Sequence, residues 1–96
     1  MVQKVRVNSS NEQYDNRSDG QRVYDIEANV HIVGTRVNNM DSGNVYKDGL
    51  HVAQFNTWEE NHLNVTYMGV DASVQNSINE AVNVFINEVK ESVSNN

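Results

Sequence analysis

The apolar pattern near the C-terminal end most constrains what this chain can fold into. Between Asp71 and Val93, apolar residues recur at spacings of three and four, which places them on one side of an α-helix. These residues are Val74, Ile78, Ala81, Val82, Phe85, Ile86, Val89 and Val93. Asp71 is a good N-cap, because its carboxylate can accept from the free N–H groups of the first turn. The helix is rich in asparagine and β-branched residues, so its stability must come from packing.

Four earlier segments have the composition or the period-two alternation typical of β-strands. They are residues 2–8, 22–33, 45–58 and 62–68. The clearest runs from Arg22 to Val33, where apolar and polar residues alternate. The third contains Asp48-Gly49, a dipeptide that indicates either a two-residue hairpin turn or a bulge within one strand.

A hairpin with a defined register is predicted for the last two strands. If residues 59–61 form a three-residue loop, the apolar residues of both strands lie on one face and Asn61 takes the left-handed position. The facing pairs are then Thr57–Leu63, Phe55–Val65 and Ala53–Tyr67. A slip by one residue would mix the two faces, so burial specifies this register.

These elements predict an α+β domain, with a four-stranded antiparallel sheet in the order β-β-β-β-α and the C-terminal amphipathic helix packed on one face. Residues 1–96 are expected to form a single domain with one modest core. Polar loops are predicted at about 9–20 and 35–44, and a frayed tail at 94–96. The predicted sheet core consists of Val5, Val7, Tyr24, Ile26, Ala28, Val30, Ile32, Ala53, Phe55, Leu63, Val65 and Tyr67.

Charge and cysteine content argue against several classes of function. The chain has no cysteine, so it has neither a disulfide nor a thiolate site. The formal net charge is -6 and arises entirely within residues 37–96. Direct binding to nucleic acid is not expected, because it requires clustered lysine and arginine. No apolar run has the length of a membrane span or the character of a signal peptide, so we expect a cytoplasmic protein that does not bind membranes.

One helix shields only one face of a sheet, so the opposite face is the candidate binding surface. In the predicted register this face is mostly hydrophilic, with Val52, Trp58, Thr66 and Met68 forming a small apolar island. Tryptophan and methionine are enriched at protein interfaces. The island therefore predicts contact with another protein or with a second copy of the chain in a homodimer. The alternative interpretation is an edge tryptophan folded over its own sheet, or a satellite apolar cluster under a loop.

No catalytic, cofactor-binding or metal-binding residues are expected. The histidines of the chain are His31, His51 and His62. None of them has a zinc-ligand spacing to another histidine. Residues 15–20 carry aspartate and glycine at calcium-loop positions, but Arg17 and Ile26 occupy two positions where oxygen ligands are needed. We therefore expect a non-enzymatic protein without a cofactor or metal, and a flexible turn at residues 15–20.

Three functions compete on this basis. The first is a small non-catalytic domain that binds a protein or self-associates through the helix-free face of its sheet. The second is an acidic inhibitor or decoy of the type found among small phage proteins. In this function, carboxylates such as those of Glu59 and Glu60 block a basic, nucleic-acid-binding surface of a target enzyme. The third is an enzyme, or an enzyme subunit that completes a site around His31 at an oligomer interface.

Overall fold

The strands follow one another across the sheet in the order in which they occur along the chain. The computed structural model describes residues 2–8, 11–58 and 62–95. In these residues the elements are β1 (Gln3–Asn8), β2 (Asn11–Asp15), β3 (Asp25–Val33), β4 (Arg36–Lys47), β5 (Leu50–Trp58), β6 (His62–Tyr67) and α1 (Ala72–Ser94). Each strand pairs antiparallel with the next. Helix α1 packs on one face, called the inner face, and the other is called the outer face.

The predicted α+β fold with a C-terminal helix is confirmed, but the predicted number of strands is wrong, because the described residues form six. Strand β2 lies within the segment that was predicted to be a polar loop at 9–20. Its one apolar side chain, Tyr14, is fully buried. Backbone pairing to β1 on one side and to β3 on the other holds this strand, so it forms without apolar alternation.

Strand β4 runs through the segment that was predicted to be a loop at 35–44. Two bulges interrupt its apolar alternation, so its sequence lacks the period-two pattern of a strand. The register of β4 shifts near Asn38 and again near Ser42. The inward-facing residues Val37, Met40 and Val45 are therefore not spaced two apart. Ser42 has a φ of 51°, a left-handed conformation outside the extended region. Polar turn-forming residues here bend a strand instead of ending it.

Tight turns join β3 to β4 and β4 to β5. Asp48 and Gly49 have φ values of 51° and 83°, and both are positive, as in a type I′ turn. Of the two alternatives left open at this dipeptide, the structure thus has the hairpin turn. Gly34 has a φ of 65° at the first central position of the β3–β4 turn.

The predicted register between β5 and β6 is confirmed. Thr57 pairs with Leu63, and the other two predicted pairs, Phe55–Val65 and Ala53–Tyr67, are also present. The predicted three-residue loop and the left-handed Asn61 lie outside the described residues. Strand β3 begins at Asp25 instead of Arg22, and β6 ends at Tyr67, one residue before the predicted end.

Helix α1 begins and packs as its sequence predicts. Asp71 is the N-cap, and its Oδ1 accepts from the Val74 N–H at 3.0 Å. Of the predicted stripe, Ile78, Val82, Phe85, Ile86, Val89 and Val93 are buried, and Val74 and Ala81 are partly buried. Ser94 belongs to the helix, so the predicted frayed tail begins too early. Asn96 lies outside the described residues.

The core lies between α1 and the inner face, and it differs from the predicted core at both edges of the sheet. Val5 is 53% exposed, contrary to prediction, because the register of β1 shifts between Lys4 and Arg6. The Val7 side chain is outside the description. Ile32, Leu63, Val65 and Tyr67 are only partly buried. The sequence pattern missed the buried residues Tyr14, Met40 and Val45.

Candidate partner-binding face

The outer face of the sheet is a broad surface of polar side chains, with a pair of aromatic rings near each end of strand β5. Alternation along each strand places on it Trp58 and the polar residues of β3 and β5, together with their cross-strand partners. The members on β2, β3 and β4 are Asn11, Gln13, Asp15, Asp25, Glu27, Asn29, His31, Asn39, Asp41, Asn44 and Tyr46. Those on β5 and β6 are His51, Gln54, Asn56, Trp58, His62, Asn64 and Thr66.

The carboxylates of the outer face are each engaged by a neighbouring group. Arg22 Nε contacts Asp25 Oδ1, and an Arg17 guanidinium nitrogen lies 3.6 Å from Glu27 Oε1. Asp15 accepts from Gln3 Nε2 at 2.8 Å. These contacts neutralise or satisfy acids on the β2–β3 side of the sheet, so the net charge of the chain is not concentrated there.

The end of β2 and the turn that follows it include residues 15–20, whose sequence partly matches a calcium loop. The Arg22 guanidinium binds the carbonyl groups of this turn. One terminal nitrogen of Arg22 donates to the carbonyl oxygens of Arg17 and Asp19 at 3.1 and 3.0 Å. Asn16 Nδ2 donates to the Tyr24 carbonyl, and Asn16 Oδ1 accepts from the Ile26 N–H. A turn is present here, as the sequence predicted, and these hydrogen bonds tie it to the start of β3.

His31 and Asp41 form another ionisable pair on the outer face. His31 Nε2 lies 2.7 Å from Asp41 Oδ2. The residues paired with His31 on the adjacent strands are Asn11 and Asn39, which are amides and not nucleophiles. In the described part of the chain, no group of three histidine, cysteine, aspartate or glutamate residues is placed to hold a metal ion. Among the described residues, the geometry sets the imidazole against the Asp41 carboxylate and places the amides of Asn11 and Asn39 on the adjacent strands.

Trp58 is the most prominent apolar group of the outer face. It is 46% exposed and pairs across the strands with His62. The two rings stack with centroids 5.5 Å apart and planes at 20°. Stacking holds the indole in one orientation on the surface, which lowers the entropy lost when a partner contacts it.

A second aromatic pair lies at the opposite end of β5. The rings of Tyr46 and His51 have centroids 5.0 Å apart. Between the two pairs lies a shallow depression lined by Ser42, Gly43, Asn44, Gln54, Phe55, Asn56, Asn64 and Thr66. The aromatic pairs are seven residues apart along β5, which is roughly 23 Å at about 3.3 Å per residue. His51, His62 and Tyr46 were not among the predicted contact residues, because their importance depends on cross-strand pairing.

The four residues of the predicted apolar island are divided between different parts of the hairpin. Val52 and Met68 are adjacent, since the Met68 N–H donates to the Val52 carbonyl at 2.9 Å. Val52 is partly buried against the core. Trp58 lies at the other end of β5, roughly 20 Å away at about 3.3 Å per residue. Thr66 is exposed and pairs with Gln54. Glu59 and Glu60 lie outside the described residues.

The described residues contain no helix with both the length and the apolar character that crossing a membrane requires. Comparisons of the chain with protein-family models, with curated proteins and with solved structures found no match.

Proposed function

We propose that this chain is a small non-catalytic domain that binds a protein partner through the outer face of its sheet. The observation that carries the proposal is the half-exposed Trp58, stacked on His62 beside a surface of amides. Tryptophan residues of this kind are frequent hot spots at interfaces. We place this activity in the cytoplasm, where a chain without cysteine is insensitive to the reducing environment.

The chemistry of the outer face favours a polar partner surface with one apolar recess. Asn44, Gln54, Asn56 and Asn64 present amides that both donate and accept hydrogen bonds. Burying a neutral amide costs less than burying an unpaired charge, provided that the partner supplies a hydrogen bond. We therefore propose a partner with matching backbone or side-chain polar groups and a pocket for the indole of Trp58.

The second function, an acidic decoy, remains a separate proposal that other carboxylates support. Glu80 and Glu91 are exposed on α1, on the side of the molecule opposite the outer face. A basic nucleic-acid-binding surface would approach these groups or the Glu59-Glu60 pair. Such binding would weaken steeply with salt, because exposed charges are screened within about 10 Å at 0.1 M ionic strength.

Affinity capture from lysate of the source cell at low and high salt tests the two functions. The tagged wild type is compared with Trp58→Ala and with Val84→Ala, a matched variant because Val84 is a 57% exposed apolar residue on α1. We expect one partner that the wild type retains at high salt. Trp58→Ala should lose this partner, because its binding free energy becomes less favourable by about 2 kcal/mol or more. Val84→Ala should retain the partner.

Two results would contradict the binding role of the outer face. One is capture of the same partner by Trp58→Ala and wild type with equal affinity. The other is a partner that high salt removes and that the charge-neutralised Glu59→Gln, Glu60→Gln variant no longer captures, which would favour the decoy.

A further inference from the structure

The two edge strands of the sheet differ in how they are protected against pairing. β1 carries Lys4, and its register shifts at the residue that follows Lys4. Basic side chains and a bulge are features by which sheets prevent edge-to-edge association. β6, with the sequence HLNVTY, contains no lysine, arginine, acid or proline. Its register with β5 is continuous from Ala53 to Trp58. The β6 edge therefore lacks these protecting features.

The hydrogen-bonding groups of β6 that face away from β5 can be identified from the ladder. The Met68 N–H donates to the Val52 carbonyl. In an antiparallel ladder, alternate residues bond to the same neighbour, so the even-numbered residues of β6 face β5. The N–H and C=O groups of Leu63, Val65 and Tyr67 then point away from β5. Among the described strands, none lies beyond β6 to accept them.

The same three residues carry apolar side chains that the monomer buries incompletely. Leu63, Val65 and Tyr67 lie on the inner face and are only partly buried, whereas Ala53 and Phe55 of β5 are buried. Helix α1 makes its main contact with the sheet at β4, which is two strands away from this edge. An open backbone edge and partly exposed apolar side chains thus coincide on one strand.

We propose that β6 pairs antiparallel with β6 of a second copy of this chain. A two-fold axis perpendicular to the sheet at Val65 sets Val65 opposite its own copy and Leu63 opposite Tyr67 of the second copy. In this register the outward backbone groups bond to each other in about six hydrogen bonds. The inner-face apolar side chains meet on one side, and Asn64 meets Thr66 on the other.

A second copy fits this edge better than an unrelated strand for two reasons. First, β6 is self-complementary, since one register satisfies its backbone groups and matches its apolar side chains. Second, β6 has no acidic side chain, so the acids that give each chain its net charge of -6 do not face one another along this strand. The two-fold symmetry closes the assembly as a dimer, because the remaining edges are the protected β1 strands.

Sedimentation velocity of the full chain tests this dimer. We expect a concentration-dependent dimer whose Kd is below about 1 mM, in the range of weak specific association. Val65→Ala removes most of the side chain and keeps the outward N–H, whereas Val65→Pro keeps a side chain of similar size and removes the outward N–H. An edge strand tolerates proline where its N–H faces outward. We expect Val65→Pro to dimerise at least about tenfold more weakly than Val65→Ala. The proposal would be overturned if the wild type were monomeric at every concentration up to about 1 mM, or if the two variants dimerised equally.

A cysteine cross-link tests the register even if Val65→Pro fails to fold. The chain has no cysteine, so a single introduced thiol reports only on its own copy. Facing residues in a hydrogen-bonded antiparallel pair have Cα atoms about 5.5 Å apart, within disulfide range. Under mild oxidation, Val65→Cys should form covalent dimers at least about tenfold faster than the control Val84→Cys on α1. Equal rates would exclude this register.

The β6 pairing is independent of the partner proposed for the outer face. Because the two-fold axis is perpendicular to the sheet, the outer faces of both copies remain open on the same side. Trp58→Ala should therefore still sediment as a dimer. Loss of the dimer in Val65→Pro with capture intact would separate the two surfaces, whereas loss of the dimer in Trp58→Ala would contradict the edge model.

Discussion

At the scale of single residues, Gly43 has the tightest steric requirement among the glycines. A Cβ atom built on Gly43 would lie 2.6 Å from Cδ1 of Phe55 and 2.6 Å from the Phe55 carbonyl oxygen. One of these atoms belongs to the backbone, so rotation of the phenyl ring alone cannot relieve the contact. Phe55 is itself buried, with its ring 6.2 Å from that of Phe85 in an edge-to-face arrangement. A methyl group here must therefore displace the β4–β5 pairing.

Gly43→Ala should lower the free energy of unfolding by about 1–3 kcal/mol, the usual cost of overpacking. Gly20→Ala is the matched control, since nothing lies within 4 Å of a Cβ at Gly20. Urea denaturation of the wild type and both variants measures the difference. Equal stability of Gly43→Ala and Gly20→Ala would show that β4 does not approach Phe55 as closely as the structure has it.

At the scale of elements, regular periodicity made some strands and the helix predictable, and irregularity concealed the others. Helix α1, the long strand β3 and the β5–β6 register follow one period throughout, so burial alone specifies them. In β4, the bulges near Asn38 and Ser42 shift the inward positions, and its turn-forming residues give it the composition of a loop. In β2, a single buried apolar residue, Tyr14, gives no detectable period. These two strands form because they pair with neighbouring strands, and this pairing cannot be inferred from the local sequence pattern.

The candidate site was predictable to the same extent. Trp58 and the polar residues of β3 and β5 were correctly assigned to the outer face, because alternation determines the face of each residue. The stacking of Trp58 on His62 follows from the confirmed register, but the Tyr46–His51 pair depends on the shifted pairing of β4 with β5. Val52 was placed on an exposed island because that register shift was not foreseen.

The N-cap of α1 supplies a prediction at the same scale. Hydrogen bonds from the Val74 N–H and from Ser73 lower the pKa of Asp71 below its usual 3.8. A carboxyl with a lowered pKa stabilises the folded state above its unfolded pKa, and this contribution is lost as the pH falls through the folded pKa. The stabilising effect of Asp71 should therefore be complete at pH 7 and should disappear in acid below the pH of that lowered pKa.

Asp71→Ala should have a lower Tm than the wild type at neutral pH, and the difference should shrink as the solution is acidified below the usual aspartate pKa of 3.8. Thermal unfolding followed by circular dichroism at several pH values measures it. Asp71→Asn is the control, because it keeps an oxygen acceptor without the titrating charge. A Tm difference between wild type and Asp71→Ala that is independent of pH would show that the charge does not contribute.

At the scale of the whole molecule, one helix and one sheet divide the chain into a covered and an uncovered layer. The apolar residues of α1 and the inner face form the core, which leaves the outer face to solvent or to a partner. The carboxylates on the β2–β3 side of that face are engaged by neighbouring side chains, whereas Glu80 and Glu91 project from α1 on the opposite side. The fold thus separates an amide and aromatic surface from an acidic one.

The fluorescence of Trp58 tests the central claim, that the outer face is the binding surface, most directly. Trp58 is the only tryptophan of the chain and is 46% exposed, so its emission reports on this face alone. When a captured partner, prepared without tryptophan, is added, the emission maximum should shift to shorter wavelength and quenching by acrylamide should fall in parallel with binding. Binding of the partner with unchanged emission and unchanged quenching would place the interface elsewhere on the molecule.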